Sequence, residues 1–424
     1  MVKKLLVLLL FFYCPQLFAE TIKTDVLVIG NSPGGISAAI QCARSKLKTT
    51  LVIPGAWLTA GIPGGNHIIT TNHNIPTGIW GEFQNKVIDF YKGTTGYDAP
   101  QNATLKFEAT TGADILKSIA DTVKNLTIRL NTPFTSIKKD GTGWEVTSTV
   151  NGISSVIDAK VVIDATQKGE VVAKAGATFP KMYDYVVADG ANMYRTSIAT
   201  SSVLPKGYIP MKDVMVKDAD NLLVVERILP IGRDIQYLPL QMALGQGVGT
   251  IAAYAAFFKT TTKKVRVRLV QQELLDFKGY LLPFVDVKAD NRYRRVVQQI
   301  AATGLLKGEP VKDGLLFNPD AKVTTEEIKP VLTEIYTRAF LWFNKEKPAA
   351  QFTIGNLVSL MSEMTLSEPQ TLQVNMRNDW NGKYHFTSSF DVNRPVTRME
   401  FAVLVNQFLN PFARTVDLEG NIVN

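Results

Sequence analysis

A short apolar segment closed by a glycine, near the start of the chain, most constrains what this sequence can fold into. Residues 26–29 read Val-Leu-Val-Ile and are followed directly by Gly30. A run of small residues spans 36–44, and a second apolar run spans 49–53. An unbroken apolar run is typical of a strand buried on both faces of a parallel sheet. Strand, glycine turn, helix and strand together have the size of one βαβ unit, so the segment predicts an α/β fold with a central parallel sheet.

The turn inside this unit has the spacing Gly30-x-Ser32-x-x-Gly35. The first glycine permits a tight turn, a small middle residue lets backbone amides approach a pyrophosphate, and the last glycine lets helix and strand pack closely. The helix that begins here points the positive end of its dipole at the same place. The turn therefore predicts dinucleotide binding. The alternative interpretation is a plain βα turn.

Further elements of the same type follow. Residues 135–159 alternate in polarity and contain Asp-Gly and Asn-Gly turns, which predicts an antiparallel β-meander. We expect buried strands at 161–166 and 222–225, and a long helix of small residues at 240–258. The sequence therefore indicates a parallel sheet that carries an antiparallel extension.

The chain is expected to divide near residue 262, where a Lys- and Thr-rich stretch ends the α/β pattern. We expect a Rossmann-type domain at 20–262 with substrate-region insertions at 57–107 and 180–215. Residues 263–424 are expected to form a mostly α-helical C-terminal domain.

Four segments in order resemble FAD-dependent oxidoreductases of the glutathione-reductase type, and they cover most of residues 22–258. They are the strand and turn at 25–39, the strand ending in Asp-Ala-Thr within 162–177, the strand at 221–227 and the helix at 244–253. The resemblance implies an FAD/NAD(P)-binding domain with FAD as its cofactor. It also implies cofactor contacts from Gly30, Ser32, Pro33, Gly34, Gly35, Asp164, Gly245, Gln246, Gly247 and Gly249. Gly245 and Gly249 are one helical turn apart, which permits close backbone approach, and free amides at the start of this helix would face the flavin. The alternative is a helix packed tightly against a sheet.

The sequence departs from this family at several positions. An acidic residue that binds ribose hydroxyls is expected at the end of the second strand, where this chain has Ile53 followed by Pro-Gly. Thr59 and Ala60 stand where relatives carry a glycine pair, and Glu226 stands where a glycine is usual. The region between Gly176 and Asp220 is short for a substrate domain. Because of these departures, the sequence supports the flavoprotein fold better than it supports catalytic turnover.

Three residues are candidates for catalysis. His67 and His73 lie in a loop-rich segment that the resemblance places next to the flavin, where either is a candidate acid/base or covalent tether. Arg227 is a candidate clamp for an anionic group. The alternatives are that both histidines are ordinary polar loop residues and that the arginine forms a surface ion pair.

Metal chemistry is not expected. The two histidines have no third ligand nearby in the sequence. Cys42 is the one cysteine beyond the first nineteen residues, and an iron–sulfur cluster needs about four thiolates. Cys42 is expected to be a small packing residue.

The first nineteen residues resemble a secretory signal peptide. Lys3 and Lys4 precede an apolar run at 5–13, and Ala19 precedes the expected mature start at Glu20. Nine apolar residues are too few to cross a bilayer, which needs about 20. Residues 57–58 and 72–83 further resemble an exported bacterial branch of the flavoprotein family. We therefore expect a periplasmic, extracellular or envelope-associated protein.

The charge pattern argues against nucleic acid as a partner. The net charge is +8 over the whole chain, and it falls to +6 without Lys3 and Lys4. The basic residues are spread thinly, whereas nucleic-acid binding normally needs a concentrated basic stripe. A small molecule is the expected partner.

The C-terminal region resembles S-layer-homology-type helical repeats. One stretch runs from Phe284 to Glu327, and the second ends in Val396-Thr397-Arg398-Met399-Glu400. The resemblance implies envelope contact or subunit packing. The alternative is a capped helix of any helical domain, because Thr followed three residues later by Glu is a capping pattern.

Two functions follow from these observations. The first is an exported FAD-dependent oxidoreductase that acts on an unknown small substrate by hydride transfer at flavin N5. The second is a catalytically degenerate flavoprotein scaffold that binds a ligand at the cell envelope. The family resemblance favours the first. The missing ribose acid at Ile53, the altered segment at Thr59–Ala60 and the short substrate region favour the second.

Overall fold

The computed structural model describes residues 20–58, 60–70, 75–95, 104–150, 153–180, 192–201, 207–228, 234–312 and 314–423. The predicted signal segment and His73 lie outside these ranges, so their predictions stay untested by the structure.

The described ranges contain strands and helices in the following order. The strands are β1 (Glu20–Ile29), β2 (Thr49–Val52), β3 (Asn66–Thr70), β4 (Thr104–Glu108), β5 (Leu126–Arg129), β6 (Phe134–Asp140), β7 (Gly143–Val150), β8 (Ile153–Asp164), β9 (Ser197–Thr200), β10 (Tyr208–Pro210), β11 (Leu222–Val224), β12 (Glu309–Val311) and β13 (Gly314–Leu316). The helices are α1 (Pro33–Arg44), α2 (Gly78–Tyr91), α3 (Ala109–Asp121), α4 (Glu170–Lys174), α5 (Leu238–Phe257), α6 (Val267–Asp276), α7 (Arg294–Ala301), α8 (Thr325–Ile335), α9 (Thr337–Glu346), α10 (Ile354–Thr365), α11 (Pro369–Gly382) and α12 (Arg398–Phe408).

The central sheet confirms the predicted α/β fold. Its parallel strands lie in the order β5-β2-β1-β8, and β11 pairs with the carboxyl end of β8. With the strands counted along the chain, this is the order 3-2-1-4-5 of a Rossmann-type sheet. Strands β7 and β6 extend it on the amino-terminal half of β8 as an antiparallel meander.

Strand β8 differs from its prediction in one respect. The sequence predicted a meander strand and a separate parallel strand, but residues 153–164 form one continuous strand. Its first part alternates between exposed and buried side chains, and residues 161–164 are all buried. The two patterns arise because one strand serves a half-solvated sheet at its start and a sheet covered on both faces at its end.

Helices α1 and α5 form the layer against the carboxyl-terminal half of the sheet. Almost every residue of α5 is buried, so this helix is apolar on all sides rather than on one stripe. It begins at Leu238 and is 20 residues long. No helix among the described residues is both long enough and apolar enough to span a bilayer.

The C-terminal part is helical, as predicted, and three of its helix starts form a ring. Helices α8, α10 and α12 are capped by Thr324, Thr353 and Thr397, whose hydroxyl oxygens each accept a backbone N–H three residues on. The residues just before these caps are joined in a closed cycle of backbone hydrogen bonds, from Val323 N to Val396 O (3.0 Å), Val396 N to Phe352 O (2.9 Å) and Phe352 N to Val323 O (2.9 Å). The sequence analysis found two similar stretches, whereas the structure contains three equivalent helix starts.

Candidate functional site

The predicted turn connects β1 to α1, and its first and last glycines are required by close packing. Gly30 has a φ of +141°, and a methyl group added to it would lie 2.1 Å from the carbonyl oxygen of Ala165. A methyl group on Gly35 would lie 2.4 Å from the Ala165 side chain. Both glycines therefore allow the turn and α1 to contact the end of β8, which is the role that the spacing predicts for them.

The residues between these glycines form the start of α1. Ser32 is buried, and its Oγ accepts a hydrogen bond from the Gly35 N–H at 3.0 Å. Pro33 follows as the first helical residue. This capping satisfies one of the N–H groups that a helix start leaves free, and the helix dipole makes the place favourable for an anion.

The segment after β2 covers this turn, which the sequence did not indicate. Gly61 has a φ of +75°, and a methyl group on it would lie 2.2 Å from the Asn31 carbonyl oxygen. The pair Gly64 and Gly65 comes later in the chain, and a methyl group added to either of them would meet nothing within 4 Å. A single glycine directly after Ala60 carried the usable signal.

Glu226 lies against the same turn from the side of β11. Its Oε1 is 3.3 Å from the position of a methyl group on Gly34, and Val225 contacts the same position at 2.5 Å. Oε1 is enclosed and has no hydrogen-bond partner within the described ranges. Burial raises the pKa of Glu226 above its usual range, the Ser32 hydroxyl opposes that rise, and the charge of Asp164 adds to it.

Asp164 lies at the end of β8, but its carboxylate fastens a turn of the protein itself. Oδ1 accepts hydrogen bonds from the Thr166 N–H (2.9 Å) and hydroxyl (2.6 Å), and Oδ2 accepts one from the Val172 N–H (3.0 Å). Burial raises the pKa of Asp164, while these hydrogen bonds oppose the rise. The structure therefore gives Asp164 a role in joining β8 to α4.

The glycines of α5 differ from their predicted position. They were expected at a helix start with free amides, but α5 begins seven residues before Gly245. A methyl group on Gly245 would lie 1.9 Å from the Gly34 carbonyl oxygen, and one on Gly249 would lie 2.5 Å from that of Ala38. A methyl group on Gly247 would lie 2.5 Å from the Ile198 carbonyl oxygen. These residues allow α5 to pack closely against α1 and β9, and their amides lie inside the helix.

Gln246 is likewise occupied by the protein. Its Nε2 donates to Gln41 Oε1 (3.0 Å) and to the Phe277 carbonyl (3.3 Å), and its Oε1 accepts from the Ile79 N–H (3.2 Å). The side chain is buried and joins α1, α2 and the end of α6. This network gives Gln246 a structural role.

The two described catalytic candidates, His67 and Arg227, both contact other groups of the protein. His67 is on β3, where its Nε2 lies 2.5 Å from the Pro63 carbonyl oxygen and its ring packs edge-on against Phe107 at 5.6 Å. Arg227 donates to the Lys168 carbonyl at 2.6 Å and stacks over Phe179. Within the described ranges, no group of three or more His, Cys, Asp or Glu residues is placed to hold a metal ion.

FAD fits this site in part. The tight turn, the capped start of α1 and the helix dipole suit a pyrophosphate. At the ribose position, Ile53 is fully buried and its backbone bonds to Arg129 and Thr132, so the end of β2 supplies no acidic side chain. When it is ionised, the Glu226 carboxylate at the turn would repel a pyrophosphate.

Residues 25–181 match the model of a family described as FAD dependent oxidoreductase. The match covers β1, the glycine turn, β2 and Asp164, and stops before β11 and α5. This part of the chain is therefore similar to the FAD-binding part of FAD-dependent oxidoreductases, whose cofactor is FAD. No curated protein sequence matches the chain.

Solved structures are similar over part of the chain. They include p-nitrophenol 4-monooxygenase from Pseudomonas putida, at 14% identity and a TM-score of 0.27 over 38% of this chain and 46% of that one. Anhydrotetracycline hydroxylase from Streptomyces rimosus has 14% identity and a TM-score of 0.29 over 39% and 36%. Bacillithiol disulfide reductase from Staphylococcus aureus has 16% identity and a TM-score of 0.24 over 34% and 38%. The chain spans less than half of the length of these three structures.

Proposed function

We propose that the chain is an exported FAD-dependent oxidoreductase of the glutathione-reductase type that acts on a small molecule. The observation that carries this proposal is the Ser32-capped turn between Gly30 and Gly35, inside the segment that matches the family model. Ser32, Gly34 and Gly35 would hold the pyrophosphate at the start of α1. When bound, FAD would supply hydride transfer at its N5 atom.

His67 is the described residue best suited to handle a proton near the substrate segments. A carbonyl oxygen only accepts, so the contact with Pro63 places a proton on Nε2 of His67. In the neutral ring, Nδ1 is then the nitrogen that can accept a proton. We assign Arg227 to holding the turn after β8, because its guanidinium is bound to Lys168 and Phe179.

The competing proposal is a degenerate flavoprotein scaffold at the cell envelope that binds a ligand without turnover. Two observations favour it: the end of β2 lacks the ribose-binding acid, and the Glu226 carboxylate lies at the turn. An absorption spectrum of the purified protein, before and after acid precipitation, separates the two proposals. We expect a flavin band that the acid releases into the supernatant.

Each outcome of this measurement is informative. A flavin band that stays with the precipitate contradicts non-covalent binding and makes His67 and His73 the first residues to substitute. A colourless protein that takes up no FAD from an excess contradicts the oxidoreductase proposal and supports the scaffold. Reduction of bound flavin by any small donor contradicts the scaffold.

We further propose that the C-terminal part consists of S-layer-homology-type repeats that hold the protein at the cell envelope. The closed cycle of hydrogen bonds among Val323, Phe352 and Val396 supports this, because it relates three helix starts by the same contacts. The purified protein is expected to sediment with isolated cell-wall fragments and not with lipid vesicles. A protein that stays in the supernatant with both would contradict the proposal.

A further inference from the structure

We propose that the Glu226 carboxylate lies against the start of α1, where FAD would present its pyrophosphate, and that its ionisation opposes the binding of FAD. This inference rests on the proposed function only in taking FAD as the ligand. It concerns how tightly the cofactor is held and at which pH.

The position of the carboxylate follows from the backbone around it. Val225 and Glu226 directly follow β11, whose residues pair with the last three residues of β8. This pairing presses Val225 and Glu226 against Gly34, where Oε1 lies 3.3 Å from the position of a methyl group. Ser32 caps the same helix turn. The carboxylate therefore lies at the helix start to which a dinucleotide presents its pyrophosphate.

The surroundings favour the neutral form of this group. Oε1 is enclosed without a hydrogen-bond partner in the part of the chain that the structure describes, and the charge of Asp164, at the end of β8, disfavours a second carboxylate charge on Glu226. The neighbouring cation, Arg227, binds the Lys168 carbonyl and lies over Phe179. From α5, the Gln241 carbonyl oxygen lies 3.0 Å from the same methyl position on Gly34, and it carries no charge. Of these neighbouring groups, the Ser32 hydroxyl favours the ionised form of Glu226 and thus opposes the rise in its pKa.

The sign of the pH effect follows from these contacts. A protonated Glu226 is neutral and can donate a hydrogen bond to a phosphate oxygen, whereas an ionised Glu226 repels it. FAD affinity should therefore be highest below the pKa of Glu226 in the free protein. It should fall as the pH rises, by up to about tenfold per pH unit, until the pKa of the FAD-bound protein is reached.

The experiment compares FAD binding by the wild-type protein, Glu226→Gln and Glu170→Gln, with flavin fluorescence as the readout from mildly acidic to mildly alkaline pH. Glutamine keeps the shape of Glu226 and removes its charge. Glu170 is an exposed carboxylate at the start of α4, so its substitution is the matched control. We expect Glu226→Gln to bind at least about tenfold more tightly at alkaline pH and to lose the pH dependence, and Glu170→Gln to behave as wild type.

The remaining outcomes separate this inference from the proposed function. Equal, pH-independent binding by all three proteins overturns the inference and leaves the oxidoreductase proposal standing. Binding by Glu226→Gln alone supports the inference and contradicts turnover by the wild-type protein. Binding by none of them at any pH overturns both.

Thermal unfolding of the wild-type protein and Glu226→Gln over a range of pH tests whether the substitution causes a folding defect. Since burial raises the Glu226 pKa, the folded wild-type protein should lose stability as the pH rises from the usual glutamate range through that pKa. The Glu226→Gln variant should lack this loss. A variant that unfolds earlier than wild type at every pH would contradict the placement of an unfavourable charge at this position.

Discussion

Gly30 and Glu226 differ in how far their structural roles could be predicted from the sequence. The spacing from Gly30 to Gly35 predicted a tight turn, and the φ of +141° at Gly30 confirms it. This prediction was possible because the requirement is local: the tight turn between a strand and the following helix needs a residue without a side chain. Glu226 was recognised only as a departure from a family pattern. That its carboxylate lies at Gly34, nearly two hundred positions earlier, depends on the pairing of β11 with β8.

Arg227 and Asp164 illustrate a limit of residue-level prediction. Asp164 was assigned to the cofactor site by resemblance, and Arg227 was a candidate clamp for an anion. In the structure, both side chains form hydrogen bonds with the segment between β8 and α4. Arg227 also has a φ of +64°, which is uncommon for a residue with a side chain. Hydrogen bonds to backbone groups of a distant turn leave no periodic signal in the sequence.

At the scale of elements, the contact between α1 and α5 depends on glycines whose function the sequence could not specify. Their spacing of four residues in α5 predicted close backbone approach, and this is confirmed. The partner is α1 rather than a flavin. The helix was predicted to begin at residue 240 but begins at Leu238, and Gly245 was expected to lie near its start. Helix α5 is apolar on all sides, so it has no apolar stripe that would indicate which face contacts which neighbouring element.

Replacement of Gly245 by alanine tests this packing. Its methyl group would lie 1.9 Å from the Gly34 carbonyl oxygen, so α1 and α5 would have to separate. We expect the free energy of unfolding to fall by about 2 kcal/mol or more, measured by chemical denaturation.

Gly382→Ala is the matched control. Gly382 ends helix α11, and nothing lies within 4 Å of an added methyl group. Alanine there should change stability by no more than about 1 kcal/mol, in the stabilising direction, because it restricts the unfolded chain. Equal effects of the two substitutions would refute the packing role of Gly245.

The helix caps of the C-terminal part were partly predictable. The Thr397–Glu400 pattern predicted a capping box, and both of its hydrogen bonds are present. Thr353 was missed because asparagine stands three residues later in place of glutamate, although the same two hydrogen bonds form. Local chemistry thus predicted a cap, but the ring that joins the three caps requires segments far apart in the chain.

At the scale of the whole molecule, a buried arginine connects the two predicted domains. Arg195 precedes β9, is 1% exposed, and pairs with Glu334 of α8 at 2.6 Å. It also donates to the carbonyls of Thr303 and Gly420. Arg268 lies beside it and donates to the Arg195 carbonyl, and burial next to Arg195 lowers the pKa of Arg268 to about 9. The boundary near residue 262 stays a prediction, and substantial contacts cross it.

The variant Glu334→Gln tests this connection. It leaves Arg195 buried without a counter-charge, so we expect a loss of roughly 2–3 kcal/mol, below that of fully buried pairs because the Glu334 side chain is 41% exposed. Arg195 lowers the pKa of Glu334. The wild-type protein should therefore lose this stabilisation as the pH falls through the Glu334 pKa, and the variant should not.

The control is Glu363→Gln. Glu363 pairs with Arg338 at 3.1 Å, and the Arg338 side chain is 48% exposed, whereas that of Arg195 is 1% exposed. Its substitution should cost less than about 1 kcal/mol. Thermal unfolding in which Glu334→Gln is as stable as Glu363→Gln would show that the Arg195 contact does not hold the two parts together.

The sequence by itself determined the βαβ unit, the glycine turn, the antiparallel extension and the helical character of the C-terminal part. Each of these follows from side-chain size and periodicity over a few neighbouring residues. The tertiary structure decided that the α5 glycines face α1, that Asp164 fastens a turn and that the Glu226 carboxylate lies at the start of α1. These facts depend on which distant segments meet. The physical reason is that burial and partners are properties of the packed chain, and no local pattern encodes them.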